Sequence, residues 1–342
     1  MLPLFFVLHG YIDNMEAMSL GEALLLFGEY VLVSLVIFGA AFLLFGSRRK
    51  AALFSFSVMF FHLFFGAGHD ALKRFFPSVF FTKYLFILPA ALVLFICTIV
   101  YFRKTRKEFK GLTVYLNFLF LLLIVIDVPR LVMVSSDKKG SAILANATVC
   151  DTCDKPDVYL IIADEYADST SLQQIFGFNN TAFQTALRKR GFHIVRNSRS
   201  NYNFTAFAMA SLFQMDYLGG VKGRNQNLAD KNKCYKLIND AGLWDFFSQH
   251  GYAIKNHSVF NLANIPTEAP QNYMLIGKGM IVSNTLLARV DKDLRYHLAL
   301  TFKIESEVSR ITYFMNRCNQ LLLSRLMEET VAASIQPRFV YT

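Results

Sequence analysis

The sequence is poor in the residues that build metal centres of the zinc-ribbon kind. Five of its 342 residues are Cys, and only Cys150 and Cys153 lie close together. No second Cys pair or Cys/His pair stands near enough to complete a four-ligand zinc site. A redox motif of the Cys-x-x-Cys type needs a βα context, whereas Pro156 opens a strand three residues later. A local Cys150–Cys153 disulfide fits a chain segment outside the cytoplasm. Cys234 and Cys318 are a second candidate pair, and Cys97 falls inside an apolar run as a packing residue. There is one Trp, and no basic patch interleaved with aromatics, which removes nucleic acid from the list of partners. The apolar start at residues 2–8 lacks the charged leader and small-residue cleavage pattern of a signal peptide. Internal repeats and a line of intramembrane charges are also missing, so a transporter or channel has little support.

What is abundant is apolar sequence, and it is concentrated. The chain is 54% hydrophobic with 35 Phe, most of it in long runs before residue 135. Runs at 23–46, 51–66, 85–102 and 112–134 approach or exceed the length that crosses a bilayer. With the short piece at 2–8, they predict a helical membrane domain over 1–135 with about five spans, the first one short. The net charge of +10 divides into +5 on each side of the 155/156 junction. In the first half the cations cluster between spans, as Arg48 to Lys50 and Arg103 to Lys110. The positive-inside rule puts both clusters in the cytoplasm and everything from 156 onward outside it; Lys73, Arg74 and Lys83 run against this. Asp127 and Arg130, three residues apart on one helix face, are expected to pair. His69-Asp70 reads as an interfacial anchor.

Residues 136–155 read as a polar linker carrying Cys150 and Cys153, and 156–342 as an α/β domain. Its opening stretch, Pro156 to Tyr166, is a short β-branched run ending in two carboxylates, Asp164 and Glu165. Carboxylates at the carboxyl end of a buried parallel strand suit acid/base work or metal binding, because that crevice is where open sheets bind ligands. Helical spacing follows at 180–190, a short strand at 193–195, and a helix over 206–214. Thr205 stands at the head of that helix, where it either faces an anion or serves only as the cap. A helix over 235–250, a strand at 252–254, a Pro/Asn-rich loop at 261–272, helix over 304–333 and a strand at 338–341 complete the pattern. Alternating strands and helices predict a mostly parallel sheet covered by helices.

Two of these stretches, with the Ala210-Ser211-Leu212 run, resemble the alkaline phosphatase superfamily. They are closest in pattern to its membrane-anchored sulfatase-like group, which includes lipoteichoic acid synthases and phosphoethanolamine transferases. The resemblance rests on Pro156 to Tyr166, on Ser200 to Thr205, and on Thr205 standing six residues before Ser211-Leu212. It implies a bacterial inner or cytoplasmic membrane protein whose spans carry an extracytoplasmic α/β domain. It implies metal ligation by Asp164, Glu165 and Thr205, with Thr205 as nucleophile, a divalent cation (zinc or manganese, or calcium), and a phospholipid or envelope glycan as substrate. Thr205-Ala206-Phe207-Ala208-Met209 lacks the Cys or Ser, Pro and Arg of true sulfatases. The family closes its site with an Asp-His pair, and no Asp-His dipeptide follows Glu165 here. His193, His250, His257 and His297 fit no such motif. By this resemblance the chain carries the first half to two-thirds of a C-terminally truncated catalytic domain, and the expectation is little or no turnover. The competing expectation is a non-catalytic membrane protein, or a gene remnant that retains the fold.

Overall fold

The computed structural model describes residues 1–15, 17–77, 79–133, 153–164, 166–195, 198–219, 228–269 and 277–342. The first elements are α1 (Leu2–Asn14), α2 (Leu20–Phe45), α3 (Arg48–Phe75), α4 (Tyr84–Lys104) and α5 (Lys110–Met133). Next come β1 (Val158–Leu160), α6 (Ser169–Phe176), α7 (Thr181–Lys189), α8 (Thr205–Gln214), α9 (Leu228–Asn239), α10 (Gly242–Gln249) and β2 (Ala253–Asn256). The chain then forms α11 (Lys278–Val282), α12 (Leu286–Thr301), α13 (Glu305–Thr312), α14 (Phe314–Val331) and β3 (Arg338–Tyr341). Two compact units result: Met1–Asp137 with Pro270–Cys318, and Lys138–Ala269 with Asn319–Thr342.

In the first unit, α2 to α5 are four helices long and apolar enough to cross a membrane. At 13 residues α1 is too short to span. Ser19 and Glu22 form a reciprocal capping box that starts α2, and Gly46 in a left-handed conformation (φ 61°) ends it. The outward faces carry large apolar side chains such as Leu25, Leu43, Leu92 and Phe118, a surface suited to lipid. Leu26, Leu63, Phe120 and Ile281 share the unit's core. The segment after residue 277 is clamped to α3 at one glycine. The Gly66 amide donates to the Asn284 carbonyl at 2.7 Å, and a Cβ at Gly66 would overlap that carbonyl. Arg289 pairs with Asp70, and the Tyr84 hydroxyl donates to Asp293. The Asp127–Arg130 pair forms at 3.3 Å and is extended by Arg130–Asp13 at 2.7 Å and His9–Asp127 at 2.9 Å, which tie α1 to α5. His69 is buried, its Nε2 donating to the Thr82 carbonyl at 2.8 Å. Cys97 is exposed on α4 instead of packed.

The second unit is built on a three-stranded parallel sheet, ordered β1-β3-β2, with Tyr341 of β3 opposite Leu160 on one side and Asn256 on the other. Every residue of β3 is buried, as a central parallel strand requires. The two-residue period sends Phe339 and Tyr341 to one face, against Trp244, Phe247 and Phe213. The other face holds Arg338, whose guanidinium donates to Asp157 at 2.6 Å and to the Glu329 and Ala332 carbonyls at 2.7 and 3.0 Å. Those carbonyls belong to the last turn of α14 and the residue beyond it, so a cation terminates that helix where the dipole favours one. Glu329 completes the set, 3.2 Å from Arg338 and 3.8 Å from Lys255.

Several local expectations change. Residues 193–195 form no strand; Phe192 and Val195 are exposed, and a β-branched run without a neighbour to pair has no ladder to join. The helix expected over 235–250 is two helices, α9 and α10, broken at Asp240-Ala241. The break turns Trp244 into the core, where its indole donates to the Ile238 carbonyl at 2.7 Å and satisfies a helix end. Cys234 and Cys318 are free thiols, not a bridge. Cys153 is disulfide-bonded, and Cys150 lies outside the described residues.

Replacing Arg338 by Met leaves Asp157 without its cation and Glu329 with Lys255 alone, and should lower stability. Trp244, the single tryptophan, reports this directly as the denaturant midpoint of its fluorescence in the full chain. The Arg338 hydrogen bond holds the Asp157 carboxyl below the ordinary range. Its contribution is therefore complete above the unfolded value of about 3.9 and is lost as pH falls through the folded value. The parent's midpoint should fall through that acid window, and the fall should be shallower in Arg338→Met.

Candidate functional site

The candidate site lies at the carboxyl edge of the sheet in the second unit. The backbone carries the β1–β3 pairing beyond β1 itself: Thr342 N–H donates to the Leu160 carbonyl at 3.1 Å, and Ile162 N–H donates to the Thr342 carbonyl at 3.0 Å. Asp164 comes two residues after that last anchor, at the turn closed by Tyr166 N–H on the Ala163 carbonyl. Its position is thus set by the sheet edge. Burial, and then the charge of Asp164, push the Tyr341 phenol upward.

Thr205 approaches from α8. It is the first residue of that helix; the N-cap position is held by Phe204, and no side chain caps the helix. Cap duty alone therefore does not explain the threonine. Its hydroxyl donates to the Asp164 carboxylate, with Oγ1 3.3 Å from both Oδ1 and Oδ2. The first-turn amides of α8 and its macrodipole point toward the same end and favour an anion there. Hydroxyl, carboxylate and helix terminus are what transfer of a charged group to an oxygen nucleophile requires.

The preceding turn is braced from within α8. Asn201 Nδ2 donates to Ser211 Oγ at 2.8 Å, and Ser211, almost wholly buried, donates onward to the Asp216 carbonyl at 2.7 Å. The Tyr202 hydroxyl accepts from Leu218 N–H at 2.8 Å. Ser211 and Asn201, quoted at first only as part of a pattern, thus tie the turn before Thr205 to the body of α8. Their role follows from a ten-residue separation that puts the turn beside the buried face of α8.

Of the other residues singled out from the sequence, Glu165 lies outside the described residues. His250 Nδ1 lies 2.6 Å from the Phe246 carbonyl, and His297 is exposed on α12 in the first unit. His257 is buried, with Nε2 3.6 Å from Glu329 and Nδ1 4.0 Å from Glu268. Burial pushes the Cys234 thiol up to about 12, which makes it an inert core side chain. Among the described residues, no three His, Cys, Asp or Glu side chains group to hold a metal. Asp164 and Thr205 therefore do not make a closed four-ligand zinc site with other described residues. A carboxylate and a hydroxyl do fit a hydrated divalent cation of the magnesium or manganese type, which takes one or two carboxylates together with substrate phosphate oxygens.

The chain matches no protein-family model, no curated protein and no solved structure.

Ser211→Ala removes two part-buried hydrogen bonds, to Asn201 Nδ2 and the Asp216 carbonyl. The expected cost is about 0.5–1.5 kcal/mol, seen as a lower Trp244 denaturation midpoint. An unchanged midpoint would show that the brace is not made.

Proposed function

We propose that the second unit carries a phosphotransferase or phosphohydrolase site of the membrane-anchored, sulfatase-like kind. In this reading it faces the extracytoplasmic side of a bacterial inner membrane and acts on phosphoesters of envelope lipid or glycan. The observation that carries the proposal is the Thr205 hydroxyl donating to the Asp164 carboxylate at the head of an uncapped helix. The sequence resemblance and the four apolar helices support the same reading.

Thr205 Oγ1 attacks phosphorus, and its proton passes to Asp164, which already accepts it as a hydrogen bond. The ester bond to the leaving alcohol breaks, and that oxygen takes the proton. The amides at the start of α8 hold the phosphoryl oxygens in the meantime. Asp164 and Thr205 are the described residues that would hold a divalent cation, which supplies Lewis-acid stabilisation of the phosphoryl charge when bound. Water or an acceptor hydroxyl then removes the group from Thr205. A second reading, a membrane protein that keeps the fold without catalysis, draws on the finding that no three His, Cys, Asp or Glu side chains group together among the described residues.

The test is covalent capture. Full-length protein in detergent is incubated with manganese and a phosphodiester labelled in its transferable group, and the peptides are mapped by mass spectrometry. Label should appear on Thr205, vanish in Thr205→Ala, and form at least about 100-fold more slowly in Asp164→Asn. Label that persists in Thr205→Ala would reject Thr205 as the nucleophile, and no label in the parent would favour the non-catalytic reading.

A further inference from the structure

His257 follows β2 at the carboxyl edge of the second unit's sheet. Its backbone is fixed on both sides: His257 N–H donates to the Tyr341 carbonyl at 2.8 Å, and Thr342 Oγ1 donates to the His257 carbonyl at 3.1 Å. In β2, Ala253 stands opposite Arg338, so the two-residue period puts Lys255 and His257 on the Arg338 face, where all three meet Glu329 of α14. The His257 side chain is only 10% exposed, and neither ring nitrogen makes a hydrogen bond. A buried polar group without a partner is costly and calls for an explanation.

The two groups that face the ring nitrogens are both carboxylates. Glu329 lies 3.6 Å from Nε2, and Glu268 lies 4.0 Å from Nδ1. Glu268 is carried there by a loop knitted to itself. Thr267 Oγ1 donates to the Ser258 carbonyl at 2.5 Å, and Asn256 Nδ2 donates to the Phe260 and Ile265 carbonyls at 2.8 and 3.0 Å. A neutral imidazole has one N–H and one lone pair, so in either tautomer a lone pair faces a carboxylate. An imidazolium has two N–H donors and matches both. Closing each gap by about 1 Å turns both contacts into charge-assisted hydrogen bonds.

The surrounding charges call for the same proton. Lys255 is 3.8 Å and Arg338 3.2 Å from Glu329, Arg325 is 3.0 Å from both Glu268 and Glu328, and Asp157 is 2.6 Å from Arg338. Among the described residues, this network sets the cations Lys255, Arg325 and Arg338 against the carboxylates Asp157, Glu268, Glu328 and Glu329, one more in number. A proton on His257 evens the balance. Histidine changes charge between about pH 5 and 8, a range in which ordinary carboxylates stay ionised. We infer that His257 is a proton-operated latch between the 257–269 loop and the end of α14. It is loose while the imidazole is neutral, the arrangement its present distances describe, and it is drawn shut when the ring is protonated. Glu268 stands next to Ala269, the last residue of this segment in the second unit, so closure pins the segment at its end. The latch is separate from the Thr205 chemistry and stands whether or not that chemistry operates.

Hydrogen–deuterium exchange on the full-length protein in detergent tests this at about pH 5.5 and about pH 8, with rates corrected for the intrinsic pH dependence of amide exchange. Peptides covering 257–269 should exchange at least about fivefold more slowly at the lower pH. His257→Gln, which keeps a donor and an acceptor but takes no charge, should abolish the difference. Glu268→Gln, a change at the exposed end of the contact, should reduce it by at least about half, and decides the matter alone if His257→Gln does not fold. His297→Gln, on α12 of the first unit, should leave it unchanged. Equal corrected exchange at the two pH values in the parent would overturn the inference. So would a difference that survives in folded His257→Gln, that Glu268→Gln leaves intact, or that His297→Gln removes.

Discussion

The second unit depends on one buried guanidinium. Its sheet has three strands of three or four residues, and the central one is separated from β1 by most of the unit's sequence. Parallel pairing across such a separation must overcome a loop-closure cost with few ladder bonds, each worth about 0.5–1.5 kcal/mol net. Hydrogen bonds to charged groups are worth roughly twice that. Arg338 supplies several at once, joining Asp157 just before β1, its own strand β3, and the end of α14. With β1 held in register by this cation at its start and by Thr342 at its end, Asp164 has a fixed place at the sheet's carboxyl edge. The site's geometry therefore begins on the opposite edge of the sheet from the site.

Much of this was readable in the sequence, for reasons that differ by element. The membrane helices follow from composition, because only long apolar runs satisfy lipid along their whole length. The strands at Val158, Ala253 and Arg338 follow from short β-branched or aromatic runs bounded by turns, and the Asp127–Arg130 pair from helical spacing. Other features are set by contacts that no local pattern records. A glycine in α3 gave no sign that it receives the Asn284 carbonyl. His9 and Asp13 join Asp127 and Arg130 from more than a hundred residues away. Asn239-Asp240-Ala241-Gly242 is turn-forming chemistry that the periodicity around it obscured, and the reward for the break is the burial of Trp244.

The two units invite different chemistry. The first offers four helices long and apolar enough to cross a membrane and a cavity lined by both apolar and ionisable side chains. The second offers a hydroxyl, a carboxylate and an uncapped helix terminus, with Cys234 buried beyond reactivity. An oxygen nucleophile acting on a phosphoester needs charge stabilisation more than it needs a strong base, because the transferred group carries the negative charge. That is why the separation of Thr205 and Asp164, more than any feature of composition, carries the functional reading. It is also why the cation matters: a carboxylate and a helix terminus alone leave much of that charge unmatched.

Manganese binding, followed by electron paramagnetic resonance on the full-length protein in detergent with a non-hydrolysable phosphodiester present, tests this most directly. The account predicts one manganese bound per chain with the phosphodiester present, lost in Asp164→Ala and weakened in Thr205→Ala. Equal binding by the parent and Asp164→Ala, or none in the parent, would contradict it.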